Sequence, residues 1–115
     1  MSTNSTVSIE QADGTIESIY VHWDGYIMGG VGEALNASYN TRLQIQAIVN
    51  AGDHSFINKD AKQSYADMRD EDCPKGVFDS FYDMLENFGQ QYNYVYTLDD
   101  EIKCYDSRGN DLLTA

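Results

Sequence analysis

A chain of 115 residues, 42% apolar and 12% aromatic, can pack one hydrophobic core and is too short for two. Its longest apolar runs are only a few residues, which excludes a helix spanning a bilayer. Nineteen acidic against seven basic residues leave a formal charge of −12, a field that repels nucleic-acid phosphates and anionic lipid and favours a basic partner.

Residues 1–5 are small and polar, predicting a frayed start to a single domain over 1–115. The first six residues hold neither a basic cluster nor an apolar run, so cytoplasmic residence is the expectation. Val7 and Ile9 alternate with Ser8 and Glu10, and Asp13-Gly14 supplies a hairpin turn. The returning strand, 15–23, places Ile19, Val21 and Trp23 on one face and Ser18, Tyr20 and His22 on the other.

Asp24-Gly25 ends that strand, and Gly29-Gly30-Val31-Gly32 leads into a helix with Val31, Leu35 and Tyr39 in one stripe. A second helix is predicted over 42–51, capped by Thr41 and ended by Gly52. The alternation within 43–47 makes a strand its competitor, but glutamine, alanine and the cap residues favour helix. The stretch 53–76 is the least patterned part, with a further strand expected within 63–68 and a turn at 70–74.

The strongest period runs over 77–88, where Val77, Phe78, Phe81, Tyr82, Met84, Leu85 and Phe88 gather on one helix side. Two strands follow. Tyr92, Tyr94, Tyr96 and Leu98 share a face, Asp99-Asp100 bend the chain, and Ile102 and Cys104 continue in the returning strand. Residues 106–109 form another turn, and 111–115 are expected to add a short edge strand. These elements predict an α+β domain: an antiparallel sheet, built from the N-terminal and C-terminal hairpins, packed against two or three helices on one face. Cys73 and Cys104 are the only cysteines, and free thiols are expected rather than a disulfide.

The densest set of functional side chains is His22, Trp23, Asp24, Gly25 and Tyr26. A histidine and an aspartate at a strand end can serve acid–base catalysis, but no nucleophile stands beside them. Turn chemistry accounts for the same residues more simply, with Trp23 as a core anchor and Asp24-Gly25 as the turn. No metal is expected, because His22 and His54 stand far apart in sequence and match no ligand spacing with Asp24 or Asp53. No cofactor is expected either. The glycine run lacks the Lys-Ser or Lys-Thr of a nucleotide loop, Glu33 following instead, and reads as a flexible or tightly turning connector. Asp79, Asp83 and Glu86 align along one side of the predicted 77–88 helix. A solvated face explains them. With Asp99, Asp100 and Glu101 they also offer an acidic surface for docking a basic protein or imitating a phosphate array.

The segment Ser18-Ile19-Tyr20-Val21-His22-Trp23-Asp24-Gly25-Tyr26 resembles a family of small phage and prophage proteins with a Tyr-Cys-His-Trp-Asp-Gly-Tyr-like signature. In that family a glycine-containing loop and a helix ending in Tyr-Asn follow, here matched by Gly30-Val31-Gly32 and by 35–40. The likeness extends to 48–53 and to Val77-Phe78-Asp79-Ser80-Phe81. Val21 replaces the usual cysteine and Ile27-Met28 a proline-containing pair, so no role of that cysteine carries over. The resemblance implies a phage origin rather than a mechanism. Origin and charge together lead to the expectation of a non-enzymatic, cytoplasmic modulator that binds a basic protein of an infected bacterial host. Its alternatives are a small-ligand protein or enzyme built on the His22–Tyr26 segment, and a structural or virion-associated protein.

Overall fold

The computed structural model describes residues 3–22, 25–57, 65–66 and 74–113. Strand β1, Ser5–Glu10, pairs antiparallel with β2, Ile16–Val21, in the register Val7 to Ile19 and Ser8 to Ser18. Gly14 closes their turn at φ +89°, and the Asp13 carboxylate accepts from the amide and hydroxyl of Thr15. Ser5 is fully buried, and Gly25 donates its amide to Thr3 O, so order begins earlier than the expected fraying of 1–5.

Helix α1, Val31–Ser38, buries the predicted stripe of Val31 and Leu35, with Tyr39 just past its end. Helix α2, Arg42–Ala51, has the predicted caps: Thr41 Oγ1 accepts from the Gln44 amide, and Gly52 ends the helix at φ +91°. Its competitor, a strand over 43–47, does not form. Three short strands follow: β3, His54–Phe56; β4, Tyr65–Ala66; and β5, Gly76–Phe78. The β4 pair falls inside the strand expected over 63–68, most of which lies outside the described residues, as does most of the turn expected at 70–74.

Helix α3, Phe81–Phe88, is four residues shorter at its start than the period predicted. Ser80 caps it by accepting from the Asp83 amide at 3.1 Å, which fixes the start, while Val77 and Phe78 belong to β5 against β2. The apolar period ran across this boundary because a sheet edge took up Phe78 and a helix face took up Met84, while Val77, expected on the buried side, is 62% exposed. Tyr82, expected on the buried side, is 79% exposed. The chain closes with β6, Tyr92–Tyr96, and β7, Ile102–Tyr105, antiparallel to each other. Leu98 falls in their turn, not in β6, and 111–113 contribute one bridge, Asp111 to Tyr105, in place of the expected edge strand.

The sheet runs β4-β3-β2-β1-β6-β7, with β5 also on β2. It is mixed, which corrects the expected antiparallel sheet: β1 pairs parallel with β6, and β2 parallel with β3. Hairpins carry their own antiparallel signal, whereas parallel neighbours need a long crossover that leaves no local mark in sequence. Here α1 and α2 bridge β2 to β3, and α3 returns the chain beside β1.

Helices cover both faces of the sheet, not one. Val7, Ile9, Ile19, Val21, Tyr94, Tyr96 and Cys104 form one core with Val31, Leu35, Ile45, Ile48 and Val49 from α1 and α2. On the opposite face α3 buries Met84, sets Phe81 against Tyr105 and Phe88 against Phe78, and covers the fully buried Ser8 and Ser18. Cys104 is a free thiol, and burial pushes its pKa up to about 11. No described helix is long and apolar enough to cross a membrane.

Candidate functional site

Of the His22–Tyr26 segment the structure describes His22, at the end of β2, and the strap formed by Gly25 and Tyr26. His22 continues the β2–β3 ladder by donating its amide to His54 O at 3.1 Å, and its Nδ1 is 2.8 Å from the Tyr20 hydroxyl. Gly25 then crosses the end of β1: its amide meets Thr3 O, and its carbonyl accepts from the buried Tyr94 hydroxyl at 2.7 Å. A Cβ at Gly25 would sit 2.9 Å from Thr3 O and 3.0 Å from Ser5 Cβ, so only glycine fits this crossing. Tyr26 is 43% exposed and meets Tyr92 edge to face at 6.5 Å. Trp23 and Asp24 lie outside the described residues.

His22 and His54, far apart in sequence, become neighbours through the parallel β2–β3 pairing. His54 is turned to its own loop, with Nδ1 2.7 Å from Gly52 O, and burial lowers its pKa despite that bond. Asp53 accepts from the Tyr20 amide at 2.9 Å. Among the described residues no three His, Cys, Asp or Glu side chains come together as metal ligands.

The glycine run is a tight connector. Gly29 has φ +80°, and a Cβ on Gly32 would lie 2.7 Å from both Cα and O of Ile27. The Gly32 amide donates to Tyr26 O at 3.0 Å, so the strap folds back onto the first turn of α1. Beside it opens a cleft of about 370 Å³ between α1, β7 and the C-terminal segment. Sequence reading did not single out this cleft, because its lining runs from Ile27 to Leu113 and shares no period.

The six predicted acids divide into two groups. Asp79 is exposed ahead of α3, Asp83 accepts from Asn87 Nδ2 at 2.9 Å, and Glu86 lines a shallow depression with Tyr82, Ser107 and Arg108. Because α3 starts at Phe81, Asp79 is not on its face. Asp99, Asp100 and Glu101 are all exposed in the β6–β7 turn, where Asp100 adopts φ +60°. Arg42 braces this turn: its guanidinium donates to Thr97 O at 3.1 Å, lies over the Tyr96 ring at 5.3 Å and reaches Asp100 at 3.9 Å. Glu101 precedes β7 and Ser107 follows it, so that strand, about 13 Å long at the usual rise, lies between the two groups. That exceeds the ~8 Å screening length at physiological salt, so the two groups are largely screened from each other.

Comparison of the chain with protein-family models, with curated proteins and with solved structures found no match.

Proposed function

We propose that this chain is a small acidic phage-type protein that binds a basic protein surface of a bacterial host without enzymatic chemistry, and that the β6–β7 turn makes the contact. The observation that carries the reading is the composition of that turn. Leu98, 49% exposed, stands next to three consecutive exposed acids on a rigid hairpin braced by Arg42. An apolar centre with a charged rim is the usual anatomy of a protein interface, and a held turn loses little entropy on binding. The overall charge of −12 steers a basic partner toward it. Proteins that handle nucleic acid present such basic surfaces, and an acidic turn would compete there with phosphate.

The test compares two triple charge reversals, Asp99→Lys/Asp100→Lys/Glu101→Lys and Asp79→Lys/Asp83→Lys/Glu86→Lys, as baits in a bacterial lysate. The unaltered protein should retain basic proteins at low salt and release them as salt rises. The first variant should lose them, and the second should keep most. Capture that ignores salt, or survives the first reversal, would sink the reading.

A further inference from the structure

The cleft beside the glycine run is no part of the docking turn, and its chemistry is different. Its lining is mainly apolar, from Ile27, Met28, Ile102 and Leu113. At about 370 Å³ it falls in the range of small-molecule sites and below what a folded partner element needs.

Its walls are set by contacts that need no ligand. A Cβ on Gly32 would lie 2.7 Å from Ile27, so only glycine lets the chain close this tightly on α1. Leu113 is held from the other side, where Leu112 donates its amide to Cys104 O at 2.8 Å and Asp111 accepts from the Leu113 amide at 2.9 Å. Met28, 84% exposed, forms an adaptable lip.

The polar groups around the cleft are either engaged already or indifferent to charge. The Tyr94 hydroxyl donates to Gly25 O at 2.7 Å and is engaged as well by the Gly32 backbone and the Cys104 thiol. Burial raises the pKa of that hydroxyl and pushes the thiol up to about 11, so both stay uncharged at neutral pH. Glu33, on the α1 wall, already has a partner of its own. Asn36 on the same wall is exposed, and its amide both donates and accepts, which suits a hydroxyl or a carbonyl. A charged ligand would give up hydration here and meet no free counter-charge among the described lining residues. An apolar body gives up nothing and gains by leaving water. We infer that the cleft is a binding site for a small neutral molecule: an aliphatic body lies on Ile27, Ile102 and Leu113, and an uncharged polar group meets the Asn36 amide.

The experiment is an NMR titration of the full chain at physiological salt with hexanol, butanol, hexylamine and hexanoate. Hexanol should shift the methyl signals of Ile27, Met28, Ile102 and Leu113 saturably. Butanol should bind about tenfold more weakly, as expected for two fewer buried methylene groups. Both charged six-carbon probes should bind more weakly than hexanol. Leu113→Ala should weaken hexanol several-fold, because it removes one wall. Leu43→Ala, the same deletion at an 82% exposed position on α2, should leave hexanol binding unchanged. An unsaturable hexanol response would overturn the inference, as would butanol or either charged probe binding as tightly as hexanol. Hexanol binding indifferent to Leu113→Ala, or weakened equally by Leu43→Ala, would overturn it too. None of these outcomes bears on the lysate capture, so the two readings fail separately.

Discussion

The two faces of the central sheet are buried with different chemistry. Under α1 and α2 the β1–β2 and β1–β6 pairs are Val7 with Ile19 and Tyr94, and Ile9 with Tyr96. Under α3 the matching pairs are Ser8 with Ser18, hydroxyls 2.6 Å apart, and Thr6 with Asn93, at 2.9 Å. Asn93 also bonds the main chain of Gln90 and Tyr105. The first face gains from removing apolar area from water, which has no direction. The second combines directional bonds, each needing its partner, with the buried apolar side chains of Ile16, Val95 and Met84. Slipping β1 by one residue would exchange the two sets, burying serines in the apolar core. The polar face therefore specifies register, while the apolar face supplies most of the stability.

Three measurements test that division. The largest effect should come from Ile19→Ala, at a position with no exposure, which should cost about 2–5 kcal/mol in chemical denaturation. A loss under about 1 kcal/mol would mean that the apolar face is not the main stabiliser.

Next come Ser8→Ala and Ser18→Ala. Each single change strands a buried hydroxyl and should cost about 1–3 kcal/mol, while the double change should cost clearly less than their sum. Additive losses would show that the two hydroxyls do not depend on each other.

The smallest effect is a pH dependence on the apolar side, at the β2–β3 junction. Burial lowers the His54 pKa below its ordinary 6.5, so the unfolded chain takes up this proton first. Stability from neutral His54 is therefore complete above pH 6.5 and falls as pH drops below it. The Asp13 carboxyl is held low by the Thr15 bonds and that of Asp106 by Asn110. For Glu17 burial works upward, but its bonds from Lys75 and Gln46 outweigh it. Those carboxylates act only below about pH 4.5, the highest of their ordinary values. Denaturation midpoints between pH 7 and 5 should thus slope for the unaltered chain and flatten in His54→Gln. A slope unchanged by that substitution would remove His54 as its source.

Much of the fold was legible in residue order. Asp13-Gly14 and the 106–109 turn form as read, Thr41 and Gly52 cap α2, and Val31, Leu35 and Tyr39 make a buried stripe. The start of α3 was legible too, in Ser80 followed three residues on by Asp83, but the stronger apolar period masked it. The candidate sites were less legible. Glycines at 25 and 32 stood out in the sequence, yet their reason is contact with Thr3 and Ile27, which no local pattern records.

By itself, then, the sequence determined what short-range physics decides: turn chemistry, caps, strand alternation and the acidic charge. Tertiary structure alone decided that β1 lies parallel to β6, that α3 takes the face opposite α1 and α2, and that Val77 and Phe78 join the sheet. It also separated the six acids by the length of β7 and opened the cleft between Ile27 and Leu113. These outcomes depend on which distant surfaces bury each other, and a side chain's period is the same whichever partner covers it.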